Sequence, residues 1–133
     1  MDEDIKGEVV VDSSFILAFL LPDEKVDKVD EIFDLYEKGR INFVSTQLLP
    51  FEILNGLRNS TLRKRITKPK AKDLAIKFSK IKIILTEIDL SQAPSISLTE
   101  DLSFYDASYA CLAKSKGVAL LTFDSRLKRI ASK

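Results

Sequence analysis

The chain has 133 residues and a mass of 15.0 kDa, a size that suits one domain and buries roughly two-thirds of the unfolded surface. Apolar residues make up 45% and charged residues 31%, which excludes a disordered polar chain. It contains no histidine and one cysteine, which excludes Ser-His-Asp and Cys-His hydrolases, most zinc sites and any internal disulfide. The lone Cys111 lies between Ala110 and Leu112 and reads as a small core residue in a reducing, cytoplasmic setting. The apolar run from Ser13 to Pro22 is far shorter than the ~20 residues needed to cross a bilayer. Asp2, Glu3 and Asp4 leave no basic segment of a secretory signal ahead of it.

In chain order, Glu8 to Asp12 (EVVVD) is a β-branched run of buried-strand type, followed by an apolar helix over Ser13–Leu21 that Pro22 stops. Val26, Val29, Ile32, Phe33 and Tyr36 recur at helical spacing within 23–38, and Gly39 ends that helix. Ile41–Val44 is a second strand, and Thr46–Arg58 a helix apolar on more than one face. Lys70–Ile81 is amphipathic, Ile83–Thr86 a third strand, and 89–101 a short helix with a loop. Ser103–Lys116 is helical up to Gly117, Val118–Phe123 is a fourth strand, and Ser125–Ala131 closes as a helix. Strands alternating with helices predict one α/β domain over 1–133, built on a parallel sheet covered on both faces.

Charge is unevenly placed along the chain. Residues 1–52 hold 13 acids and 5 bases, a net of −8; residues 53–86 hold 10 bases and the single acid Asp73, a net of +9. Residues 87–133 hold 6 of each, so the whole chain carries +1. The acid-free series Arg58, Arg63, Lys64, Arg65, Lys68, Lys70 and Lys72 has two readings, a solvated helix face or a polyphosphate-binding segment.

In open parallel sheets the binding crevice lies beyond the carboxyl ends of the strands. Asp12 ends the first strand, Asp124 follows the fourth, Asp106 opens the helix before it, and Glu52 lies in the helix after the second. Singly, the aspartates have structural readings: Asp12 and Asp124 as helix caps, and Asp106 as an acid favoured in a first turn. Glu52 is surrounded by Leu48, Leu49, Phe51, Ile53 and Leu54, where a buried, unpaired carboxylate is costly. Taken together, carboxylates within ~6 Å of one another repel and are kept together by a cation. With only oxygen donors to offer, such a cluster selects Mg²⁺ or Mn²⁺ over zinc or copper.

The ordered segments VVVDSS (9–14), QLLPFEILNGL (47–57), LSFYDASYACLA (102–113) and ALLTFDSRL (119–127) resemble the PIN-domain family, and within it the VapC-type toxins of toxin–antitoxin pairs. That resemblance implies a metal-dependent single-strand ribonuclease on a Rossmann-like parallel sheet of order 3-2-1-4-5. It implies Asp12, Glu52, Asp106 and Asp124 as catalytic and metal-binding carboxylates, with Mg²⁺ or Mn²⁺ as cofactor. Ser13 and Thr122 would support them by hydrogen bonds. Arg58, Arg63, Lys64 and Arg65 would meet either RNA or a VapB-type antitoxin, and the active form would be a homodimer. Two departures stand out: only four strands are legible, and the further acid many relatives carry near the fourth position is absent, since Ser125 and Arg126 follow Asp124.

Two other readings compete. A phospho-receiver domain requires an acid pair after the first strand and a lysine after the last, but Ser13 follows Asp12 and Asp124 stands at the lysine's place. A PIN-like RNA-binding or dimerisation module without catalysis would leave the repulsion among the four acids without a purpose.

Overall fold

The computed structural model describes residues 5–133; the acidic opening at Asp2, Glu3 and Asp4 lies outside them. The elements in order are β1 (Gly7–Val11), α1 (Ser13–Leu20), a 3-10 turn (Pro22–Glu24), α2 (Asp27–Glu37), β2 (Ile41–Thr46), α3 (Leu49–Leu62) and α4 (Lys68–Ser79). They continue with β3 (Ile83–Thr86), α5 (Gln92–Glu100), α6 (Phe104–Lys116), β4 (Leu120–Leu121) and α7 (Ser125–Ala131). The sheet is all-parallel in the order β3-β2-β1-β4. Val10 sits between Val44 on one side and Leu120 on the other.

Val9, Val10 and Val11 are all buried. Successive strand residues point to opposite faces, so both faces of β1 are covered, and the EVVVD run takes the centre of the sheet for that reason. A cluster of rings packs at Phe43: Phe33 lies at 5.1 Å edge-on and Tyr36 stacks at 4.7 Å, while Phe19 stacks on Phe33 at 3.6 Å. α6 packs against β1 and β2, and Ala107, Ala110 and Ala113 on it are fully buried. Cys111 is buried, as its apolar neighbours suggest.

Several boundaries differ from the sequence expectation. Residues 22–26 do not join α2: Pro22 starts a 3-10 turn, and Val26 caps α2 as a half-exposed residue. β2 runs on through Ser45 and Thr46, so α3 begins at Leu49 with Pro50 in its first turn, and ends at Leu62 rather than Arg58. α4 starts at Lys68 because the Thr67 hydroxyl accepts from the Lys70 N–H. Gly39 and Gly117 end α2 and α6 at φ of +73° and +66°, where glycine alone avoids strain.

The fourth strand is reduced to Leu120–Leu121. Beyond it Thr122 turns into a hydrogen bond with Asp12, and Asp124 caps α7. That segment spends its polar groups on the end of the sheet rather than on a ladder. The sheet therefore has four strands among the described residues, without the fifth of the 3-2-1-4-5 order.

Candidate active site

A parallel sheet ends all its strands on one edge, so Asp12, following Val11, and Thr122, following Leu121, are neighbours there. α3 leaves that edge after β2 and carries Glu52 in its first turn. α6 runs back toward the start of β4, so its first turn, with Asp106, lies at the same edge. Topology thus brings together four acids that are up to 112 positions apart in the chain.

Asp12 is 3% exposed, and its donors come from the first turn of α1 and from Thr122, just beyond β4. Its Oδ1 accepts from the Ser14 hydroxyl at 2.7 Å and the Phe15 N–H at 3.0 Å, which caps α1. Its Oδ2 accepts from the Thr122 hydroxyl at 2.5 Å. Thr122 Oγ1 also accepts from the Asp124 N–H at 3.0 Å. Ser14 supplies the nearby hydroxyl to Asp12 and also accepts from the Phe123 N–H at 3.0 Å. Ser13 faces Glu52 and Tyr109. On the opposite flank, Ser45 Oγ donates to the Val11 carbonyl at 2.6 Å and ties β2 to the end of β1.

Glu52 is half-buried, and its Oε1 accepts from the Tyr109 hydroxyl at 2.5 Å. Asp106 is half-buried; its own N–H donates to Ser103 Oγ at 3.1 Å, the cap of α6. Asp124 is exposed, and its Oδ1 caps α7 by accepting from the Leu127 N–H at 3.0 Å. The capping readings of Asp12 and Asp124 are therefore real. They do not compete with a second role, because a cap uses one oxygen and leaves the carboxylate its charge.

Burial raises the carboxyls of Asp12, Glu52 and Asp106 above their ordinary range, and each is pushed further by another acid. Asp106 acts on Asp12 and on Glu52, Asp12 on Glu52, and Asp124 on Asp106. Hydroxyl donors offset part of this: Thr122 and Ser14 at Asp12, Tyr109 at Glu52, Ser103 at Asp106. No lysine or arginine is among the groups that shift the three. As the side chains stand, no three Asp, Glu or Cys residues among the described ones are grouped so that they could hold an ion. Asp12 is held by Ser14, Phe15 and Thr122, and Glu52 by Tyr109.

A pH prediction follows for metal-free protein. The folded chain binds more protons than the unfolded chain between pH ~4, where free carboxyls titrate, and the raised values of Asp12, Glu52 and Asp106. Stability from these groups is therefore full below that window and is lost as pH rises through it. In EDTA, the melting temperature should climb as pH falls from 7.5 to 5. That slope should flatten in a Glu52→Gln/Asp106→Asn double variant; an unchanged slope would mean that these carboxyls are not strained in the folded state.

The basic residues lie elsewhere. Arg58 is six residues past Glu52 on α3, about 9 Å along the helix axis. Arg63 caps the helix end, and Lys64 takes the left-handed conformation at φ 59°. Arg65 is committed to Asp23 and Glu24 of the 3-10 turn, each at 2.8 Å, whereas Arg58, Arg63 and Lys64 form no ion pair among the described residues. A cavity of about 730 Å³ lies beside the start of β3, lined by Tyr36, Asn42, Lys80 and Ile84 among others, and includes none of the four acids.

Sequence reasoning passed over Ser14 and Tyr109. Tyr109 is three residues after Asp106 in α6, and that spacing puts both on one helix face. No helix among the described residues is long and apolar enough to cross a membrane.

Comparison with known proteins agrees with this geometry. The family model described as PIN domain matches residues 9–133. Ribonuclease VapC3 of Pyrobaculum aerophilum is 27% identical over 124 residues, which cover 90% of this chain and 92% of that protein. The crystal structure of PAE2754, also from Pyrobaculum aerophilum, superposes with a TM-score of 0.70 at 26% identity, covering 92% of this chain and 84% of that one. Mycobacterium tuberculosis VapC20, a sarcin–ricin loop cleaving toxin, shares the fold with a TM-score of 0.60 at 16% identity, over 91% of this chain and 93% of that one. With its parallel α/β sheet, its acids gathered at the sheet's carboxyl edge and a family match over nearly its whole length, this chain belongs to the PIN-domain family.

Proposed function

We propose that this chain is a Mg²⁺- or Mn²⁺-dependent endoribonuclease of the VapC type, organised as one PIN domain over 1–133. Asp12, Glu52, Asp106 and Asp124 would hold the ion. The observation that carries this reading is electrostatic: half-buried and buried carboxyls at one sheet edge raise one another with no basic partner among their perturbing groups. The donor set fits a hard divalent cation, being all oxygen with neither imidazole nor thiolate beside it. When bound there, such an ion would acidify a water and neutralise charge building on the phosphoryl oxygens during in-line displacement.

The protein's own part is positioning. Thr122, Ser14 and the Phe15 N–H fix both oxygens of Asp12, so this ligand is set before any ion arrives. Asp106 lies across from it on the first turn of α6. Glu52 and Asp124 complete the set and orient the attacking water, and cleavage leaves a 5′-phosphate and a 3′-hydroxyl. Arg58, Arg63 and Lys64 supply backbone affinity for single-stranded RNA that weakens with salt, or meet an acidic segment of a VapB-type antitoxin. Arg65, paired with Asp23 and Glu24, contributes less unless those pairs open. A homodimer acting in the cytoplasm completes the reading, with exposed Phe51 and Leu54 of α3 as interface candidates.

A second reading, a non-catalytic PIN module, is favoured by the absence of any three grouped metal ligands among the described residues. One experiment separates the two. Purified protein is incubated with a mixed RNA pool in Mn²⁺, Mg²⁺ or EDTA, with Asp12→Asn alongside. Cleavage that needs the ion and disappears in the variant supports the nuclease. Mn²⁺ binding without cleavage supports the module, and cleavage that survives both EDTA and the substitution refutes the proposed site.

A further inference from the structure

We propose that Tyr109 is a positioning residue of this site, holding Glu52 by its hydroxyl so that one carboxylate oxygen is anchored and the other stays with the neighbouring acids. The inference rests on the metal-dependent reading above. Tyr109 is the largest fully buried side chain, at 0% exposure. A buried phenol O–H needs a partner, and this one donates to Glu52 Oε1 at 2.5 Å across the gap between α6 and α3. Phenylalanine would fill the same core volume, so packing alone does not call for the hydroxyl.

Glu52 needs such an anchor more than Asp12 does. Asp12 has three donors, whereas Glu52 has the Tyr109 hydroxyl and, as a lesser contribution, that of Ser13. Asp106 and Asp12 both repel Glu52, and α3 leaves it room to turn toward solvent, because it is only half-buried. Without the hydroxyl, the carboxylate is free to rotate away from the other acids and must be brought back at a cost whenever the ion binds. Partners of this kind change metal affinity or activity by about 10–100-fold when removed.

The test is Mn²⁺ titration calorimetry on wild type, Tyr109→Phe, Glu52→Gln and the double variant, with RNA cleavage measured beside it. Tyr109→Phe is expected to weaken Mn²⁺ binding about tenfold and to lower kcat by 10–100-fold with KM for RNA little changed. In the Glu52→Gln background the same substitution should cost nothing more, because its effect passes through Glu52. Mn²⁺ affinity equal to wild type, or a full further loss in the double variant, overturns the role. Tyr109→Met provides a second hydroxyl-free side chain should the phenylalanine variant fail to fold. Wild type that takes up no Mn²⁺ overturns instead the metal-dependent reading on which the role depends.

Discussion

Asp12→Asn is expected to reduce ion-dependent RNA cleavage by about a hundredfold or more, the several kcal/mol that a divalent ion contributes to phosphoryl transfer. Metal-free, the same variant should melt at the wild-type temperature or above it. Asparagine keeps the oxygen that caps α1, a position where it serves as well as aspartate. Its amide can donate to Thr122 Oγ1, which now donates to Oδ2. What disappears is a 3%-exposed charge that its own burial and Asp106 both disfavour. With Mn²⁺ added, the order should invert, because only the wild type gains the stabilisation of a bound ligand. Differential scanning calorimetry with and without Mn²⁺ checks both halves. A large loss of stability in the metal-free variant would make Asp12 a structural hub rather than a charge kept for an ion.

Thr122→Val should destabilise the fold more than any other single substitution at the site. The Thr122 hydroxyl is buried; it donates to Asp12 Oδ2 at 2.5 Å and accepts from the Asp124 N–H at 3.0 Å. Valine keeps the shape and deletes both bonds, which leaves a buried carboxylate oxygen without its donor. A buried group so orphaned costs about 1–3 kcal/mol, more when charged. At roughly 3–5 °C per kcal/mol for a chain of this length, the melting temperature should fall by about 3–15 °C at neutral pH. Thr122→Ser retains the hydroxyl and should recover most of the loss. A valine variant as stable as wild type would show that Asp12 finds another donor, Ser14 being the nearest.

The two results bear on how much of the site was legible in the chain. The acids could be named because each stands at an element boundary that local patterns mark: a β-branched run ending at Asp12, a helix opening at Ser103, a strand ending before Asp124. Glu52 could be named because it is a carboxylate inside an apolar stretch. Their supporting groups were harder to read. Ser13 and Ser14 are adjacent hydroxyls, and which one reaches Asp12 depends on the first turn of α1, where the residue two past the cap points back at it. Tyr109 reads as an ordinary core aromatic until α3 is placed opposite α6.

The boundary errors share a cause. Thr46 looks like the start of a helix because hydroxyl residues are good caps, but it and Ser45 are held in β2 by pairing with Thr86 and Leu85. Val118–Phe123 looks like six residues of strand, but β4 has one partner, β1, and keeps two residues in its ladder. Ladder pairing depends on a neighbour distant in sequence, so propensity falls short of it in β2 and overruns it in β4.

The sequence by itself determined the α/β class, the buried character of the VVV strand, the helix stops at Gly39 and Gly117, and the four candidate acids at element boundaries. These follow from periodicity, backbone freedom and charge, which act over a few residues. Only the tertiary structure decided that those acids share one edge, that Ser14 and Thr122 hold Asp12, that Tyr109 holds Glu52, and that Arg65 is spent on the turn at Asp23 and Glu24. Each of these is a contact between segments distant in the chain, made when burial of the apolar faces brings the strands into register.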